Sequence, residues 1–207
     1  MMHQYSVDYD RKTVYFLLAF VSILGTKIVN KILVLENIEL TITGLTIFGL
    51  LFLLFDKFLW KIRLLYYLGL VKTPNLNGVW KGQLKSSYDD FKDEIDACIQ
   101  IKQTWTKIII FGKFNQSKSY SISANLETNN GARVVLRYVF KNKNNLANTP
   151  KTMMNHSGIT TLEFEENDAE GKYYNEPPQN KNYGILLLNK EEKKKKRIKI
   201  WKKPSKN

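Results

Sequence analysis

One cysteine, Cys98, and two histidines, His3 and His156, are the whole supply of thiol and imidazole in 207 residues. A lone cysteine makes no intramolecular disulfide and no Cys-rich metal site, which fits a reducing compartment. Two histidines leave too little for a zinc centre or a His-based triad. There is no Walker loop, no GxSxG, no GxGxxG and no HExxH. The acids Asp89, Asp90, Asp93, Glu94 and Asp96 stand at the head of a strand and read as solvated turn residues rather than a metal site. No converging acid–base pair appears, so neither an enzyme nor a cofactor is expected.

What the chain does have is unevenly distributed. The formal charge is +13, and nine of the 32 basic residues lie between Lys193 and Lys206. This tail, with Ile198, Ile200 and Trp201 between its charges, suits anionic lipid or serves as a solubilising end. Contact with a nucleic-acid polymer is not expected.

The apolar residues concentrate at the other end. Residues 40–55 carry no charge over sixteen positions. Extended to Trp60, this stretch predicts about 31 Å of helix, close to the thickness of a bilayer's hydrocarbon core. Residues 13–26 are a second uncharged run after Arg11 and Lys12, and no small-residue cleavage site follows it. Carried on to Val34, it includes Lys27, Asn30 and Lys31 and pairs with the first as a membrane hairpin whose tip falls near residues 35–39. Lys27, Asn30, Lys31 and Asp56 are poor choices for a passive anchor and suit a helix pair that rearranges. Arg11, Lys12, Lys57, Lys61, Arg63 and Lys72 flank one side, which puts both termini and the following module in the cytoplasm. Residues 61–70 extend the second helix or lie along the interface, and Pro74 closes the segment.

Beyond residue 76 the pattern turns to short alternating runs. Eight strands are predicted, over residues 76–86, 94–103, 106–115, 118–128, 132–142, 153–165, 171–175 and 183–190. Short connections favour antiparallel neighbours, and no helix is at hand to cover an open sheet. The expectation is two N-terminal transmembrane helices plus an antiparallel, eight-stranded, up-and-down β-barrel. In domain terms this is a hairpin over 1–72, a barrel over 73–190 and a tail over 191–207. A barrel of eight strands is either filled with side chains or holds one small ligand.

Trp80, Trp105, Tyr120, Tyr138, Tyr173, Tyr174 and Tyr183 supply flat faces on which a base stacks, or are plain barrel core. Tyr120, Ile122, Ala124 and Leu126 alternate as one face. Arg133 and Arg137 share a strand face and suit a phosphate, or are exposed solubilising charge. His156 is a core or mouth residue or a ligand contact, and the run from Tyr174 and Asn175 to Asn180 offers amide and phenol groups for a base edge. A tethered carrier of lipid or another small apolar ligand is the alternative, with a lumen free of Arg, Asn or His as its mark. A membrane-bound enzyme and a filled barrel that docks a protein remain further readings.

Four short motifs follow the hairpin in order: Leu76, Gly78 and Trp80; Met153, His156, Gly158 and Leu162; Gly171, Tyr173, Tyr174 and Asn175; and Tyr183, Gly184, Leu186 and Leu188. In this arrangement the chain resembles the two-transmembrane β-barrel effectors of bacterial CBASS anti-phage systems, the SMODS-associated and CD-NTase-associated membrane effectors. The resemblance implies a cytosolic barrel that binds a cyclic dinucleotide made by a partner CD-NTase. Ligand then drives homo-oligomerisation, and the hairpins disrupt the bacterial inner membrane. The ligand residues expected on this reading are Arg137, Tyr138, His156, Tyr173, Tyr174, Asn175, Trp80 and Tyr120. Where the family pattern often has a basic residue after the tyrosine, this chain has Asn175 followed by Pro177 and Pro178.

Overall fold

A computed structural model describes residues 1–38, 40–115, 117–128, 133–144, 157–176 and 182–191. Its elements run β1 (His3–Gln4), β2 (Ser6–Val7), α1 (Lys12–Leu35), α2 (Gly44–Lys57), α3 (Arg63–Tyr67), β3 (Gly78–Ser86), β4 (Ile95–Gln103), β5 (Lys107–Lys113), β6 (Ser117–Glu127), β7 (Val134–Asn144), β8 (Ser157–Glu165), β9 (Asp168–Asn175) and β10 (Tyr183–Lys190). Strands β3 to β10 pair in sequence order, all antiparallel, and β10 returns to β3. The expected eight-stranded barrel is present and closed.

Its seam is more elaborate than alternation predicts. β5 and β6 pair at only three positions, Phe111 with Tyr120 to Lys113 with Lys118. Below that they part, and the N-terminal segment fills the gap. β1 lies antiparallel to β5, and β2 lies parallel to β6. Between the two, Tyr5 turns into the barrel core, and its hydroxyl donates to the Trp105 carbonyl at 2.8 Å. A bulge between Ser121 and Ser123 bends β6 at the same level. It also inverts the inside–outside parity along the strand. Ala124 and Leu126 pack on the core side, but Tyr120 and Ile122 face out, at 39% and 43% exposed, so the single alternating face expected for β6 is corrected.

The helices depart from expectation in length. α1 has 24 residues, about 36 Å at the α-helical rise, and is the one described helix long and apolar enough to cross a membrane. It ends where Asn37 takes a left-handed conformation, with the Ile38 amide closing on the Leu33 carbonyl. α2 has 14 residues, about 21 Å, against the single helix expected over residues 40–60. Thr43 caps its start by accepting from the Thr46 amide. Its end is set by the barrel. The Asp56 carbonyl, which a continuing helix would give to the amide of residue 60, accepts from the Trp105 amide at 3.0 Å instead. The chain then makes a tight turn through Leu59–Lys61 and the short α3.

Asp56 and Asn30 therefore have fixed partners here. The Asp56 carboxylate accepts from the Thr106 amide and hydroxyl at 2.8 Å each. Asn30 grips the backbone of Ile42 in both directions at 2.9 Å, which closes the hairpin near its tip. A second core of Val14, Leu18, Phe55, Trp60, Val71 and Trp105 joins the helices to the barrel. Phe55 meets Trp105 edge to face at 4.8 Å, and the Arg11 guanidinium lies 5.0 Å from the rings of both Tyr5 and Trp105. The hairpin thus sits on the barrel end formed by the β4–β5 turn.

Candidate functional site

The lumen is filled at the helix end and open at the other. Inward positions recur every second residue along each strand, so register alone assembles the layers. One register course runs Leu84, Leu186, Gly171, Leu162, Leu136 and Leu126, its leucines all buried. Together with Trp80, which meets Phe164 edge to face at 4.8 Å, these residues plug the barrel on the helix side. Two residues further along the strands the course reads Ser86, Gly184, Tyr173, Thr160 and Tyr138. Leucine gives way to hydroxyl and glycine, and a cavity of about 170 Å³ opens.

Its walls include Tyr138, Phe140, Thr160 and Tyr173, its floor Leu84 and Leu186, and its rim Asp89, Asn142, Asn175 and Asn182. Glycine makes the room. At Gly184 a Cβ would lie 2.2 Å from the Lys85 carbonyl oxygen and 2.3 Å from Tyr173 Cε1. At Gly158 it would meet the Tyr174 carbonyl oxygen at 2.3 Å and Phe140 Cζ at 2.5 Å. Both aromatic rings therefore lie over bare backbone instead of across the opening.

The Tyr173 hydroxyl donates to Ser86 Oγ at 2.8 Å, and Tyr138 is hydrogen-bonded to Thr160. Burial pushes the Tyr138 phenol up to about 12, with the Thr160 contact opposing it slightly. Burial also raises Tyr173, helped by the nearby Asp89 charge and opposed by Ser86. At neutral pH both are uncharged hydrogen-bonding groups. Asp89 is set at the rim by a loop in which Asp90 and Phe91 both have positive φ, 55° and 62°. One of its carboxylate oxygens, Oδ2, accepts from the Asp93 amide at 3.0 Å. Among the described residues lining the cavity there is no lysine or arginine.

Of the residues singled out from sequence, Tyr138, Tyr173 and Asn175 meet at this cavity. Trp80 sits in the plug, its Nε1 donating to the Leu76 carbonyl at 3.2 Å, and Trp105 sits in the helix junction. Arg137 faces out and pairs with Glu127, because its neighbours Leu136 and Tyr138 take the inward positions. Arg133 is likewise outside, among Glu163, Glu165 and Glu170. Tyr120 faces out beyond the bulge. Tyr174 and Tyr183 are exposed and stack on each other at 6.5 Å, with Phe91 5.6 Å from Tyr183. His156 and residues 177–180 lie outside the described residues, as does the tail beyond Glu191.

Sequence reasoning passed over Ser86, Asp89, Asn142 and Asn182 as site residues. Ser86 was within reach: it stands two positions after Leu84 on an inward register. Asp89 was not, because its placement depends on the left-handed loop.

Residues 71–190 match the model of the Cap15 cyclic dinucleotide receptor domain. The CD-NTase-associated protein 15 of Yersinia aleksiciae is 32% identical over 130 residues, covering 58% of this chain and 57% of that protein. The CD-NTase-associated protein 15 of Escherichia albertii is 29% identical over 108 residues, covering 52% and 54%. The chain thus spans little more than half the length of the curated relatives it matches. The domain match takes in every strand of the closed barrel and more than half of the chain, so this chain belongs to the Cap15 cyclic dinucleotide receptor family.

Proposed function

We propose that the chain is a membrane effector of bacterial CBASS immunity, acting by binding rather than catalysis. A cyclic dinucleotide made by a partner CD-NTase enters the open half of the barrel. The occupied protein oligomerises, and the helical hairpins disrupt the inner membrane. The observation that carries this reading is the polarity of the barrel. Its lumen opens at the end opposite the apolar helices, so a soluble ligand reaches the site while the helices lie in lipid.

The hairpin supports the output half of the proposal. Phe16 is 73% exposed and Leu45 80%, and much of the apolar surface of α1 and α2 is likewise uncovered. A soluble monomer rarely leaves such a patch open, and lipid or further copies of the hairpin would cover it. The shorter α2 crosses only with help from tilt, bilayer thinning or its flanking segments. Because β1 and β2 are built into the barrel seam, the N-terminus and the barrel share one side of the bilayer, and the basic flanks favour the cytoplasm. Ligand shifts the population toward the assembling state only by binding it more tightly than the resting one.

The polar rim, with Asp89, Asn175 and Asn182, argues against a carrier of apolar cargo. Calorimetric titration of the full-length protein in nanodiscs against a panel of cyclic dinucleotides tests the receptor half. Dye release from liposomes on ligand addition tests the output. Heat with at least one ligand, and release only in its presence, is expected. No heat with any of them sinks the proposal.

A further inference from the structure

Resting on the membrane placement proposed above, we infer that residues 57–68 form a foot in the headgroup layer that recognises anionic phospholipid through Lys57, Lys61 and Arg63. The sequence sets the charge. No aspartate or glutamate occurs between Asp56 and Asp89, while Lys57, Lys61, Arg63 and Lys72 fall in the first half of that interval. All four are exposed, and none has an ion-pair partner among the described residues.

The fold holds these cations at one level and leaves them uncompensated. α1 begins where α2 ends, so Arg11 stands at the same end of the hairpin, against Trp105. Its Nε and Nη2 are shielded from solvent and donate to no described residue, and its charge adds to the field of the foot. The acids nearby are spent: Asp10 pairs with Lys12 at 3.2 Å, and Asp56 accepts from Thr106. Glu163, Glu165 and Glu170 surround Arg133 on β8 and β9, on the opposite side of the barrel from the β4–β5 turn that carries the helices.

Shape places the foot at a boundary. Trp60 is fully buried, Leu59, Leu65 and Tyr66 pack on the second core, and the Tyr66 hydroxyl donates to the Thr73 carbonyl at 2.7 Å. This fastens one side of the segment. The other side leaves Phe58, Ile62, Leu64 and Leu68 exposed, and Tyr67 89% exposed. Apolar side chains interleaved with cations suit neither bulk water nor the hydrocarbon core, but the layer between them. The apolar surface of the hairpin continues into this one, so the same leaflet meets both. Arg63 offers a phosphate a planar two-toothed fork. The Lys61 ammonium lies 5.6 Å from the centre of the Trp60 ring, close against the protein. A zwitterionic headgroup balances its phosphate with its own ammonium, and an anionic one does not. Unpaired cations near the surface favour the second, by about fivefold each.

Full-length protein in nanodiscs of equal parts phosphatidylglycerol and phosphatidylcholine, released into a mass spectrometer, reports which lipid stays bound. The wild type is expected to retain phosphatidylglycerol in excess. Lys57→Gln, Lys61→Gln and Arg63→Gln together should cut that excess about tenfold or more. Removing the same charge from the barrel wall, with Lys113→Gln, Lys141→Gln and Lys172→Gln, should leave it within about twofold. Equal retention by the wild type, with or without a second copy of the chain on this face, overturns the inference. So does an excess that the foot variant keeps, or that the wall variant lowers as much. If the triple foot variant does not melt cooperatively, Arg63→Gln alone decides, with an expected fall of about fivefold. A chain that stays outside the bilayer on reconstitution overturns the membrane placement itself, and this inference with it.

Discussion

Asp56 fastens the hairpin to the barrel, and Asp56→Ala should separate binding from output. The substitution removes a carboxylate oxygen that accepts from both the amide and the hydroxyl of Thr106 at 2.8 Å. A hydrogen bond to a charged acceptor contributes about 1.5–3 kcal/mol. Thr106 is half-buried, so water recovers part of the loss and the net cost is about that of one bond, roughly 2 kcal/mol. The equilibrium constant for docking the helix end then falls about thirtyfold. The Trp105 amide still donates to the carbonyl of residue 56, so the junction loosens without coming apart. Three readouts follow, all on the full-length protein in nanodiscs or liposomes. Hydrogen exchange at the Thr106 amide should speed up about thirtyfold. Cyclic dinucleotide affinity should stay within about twofold, because the cavity lies at the other end of the barrel. Ligand-triggered dye release should fall. Unchanged dye release alongside accelerated exchange would show that the output needs no fixed junction and would refute the reasoning.

Gly184→Ala should destabilise the barrel by about 2 kcal/mol or more, since the new methyl meets the Lys85 carbonyl at 2.2 Å and neither strand has room to yield; thermal melts measure it. Tyr5→Ala empties a buried aromatic position and frees the seam, with an expected loss of about 3–5 kcal/mol. Faster exchange of the Ile108 and Leu126 amides than of those in β8 would mark the opening as local. Alkaline stability should track Tyr138. Its phenol is near 10 in the unfolded chain and about 12 in the fold, so the native state keeps a proton that the unfolded state has lost. Its contribution is complete below pH 10 and is lost through pH 12, about 3 kcal/mol, and Tyr138→Phe should remove that share of the fall in a melt series, leaving the part that the raised Tyr5 and Tyr173 phenols contribute.

The barrel was legible because alternation is a direct image of the pleat. β4 was expected over 94–103 and runs Ile95–Gln103; β10 runs Tyr183–Lys190 as expected. The seam was not legible, because β1 and β2 are two residues each and show no period. Nor was the bulge at Ser121, which leaves Tyr120 and Leu126 equally apolar on paper while turning them to opposite faces. The second helix was overestimated for a tertiary reason: Leu40 to Trp60 is apolar enough to continue, but the backbone of Asp56 is taken by the barrel. At the cavity, residue type pointed to aromatics, and parity admits one member of each adjacent pair. Tyr138 and Tyr173 line the lumen, and Arg137 and Tyr174 stand back to back with them outside.

The seam also dictates an order of assembly. Tyr5 leaves the ribosome 100 residues before the Trp105 carbonyl it must reach, and Asp8 precedes its partner Thr128 by 120. In the interval the whole hairpin, α1 and α2, is synthesised. The first strand made is thus among the last to be paired. Contacts of such separation form slowly. Until β1 and β2 are in place, β5 and β6 are joined at three positions alone, so the seam is the step that completes the barrel wall. A short N-terminal fusion that blocks His3–Val7 should yield a protein whose helices are made and whose receptor is open along one side.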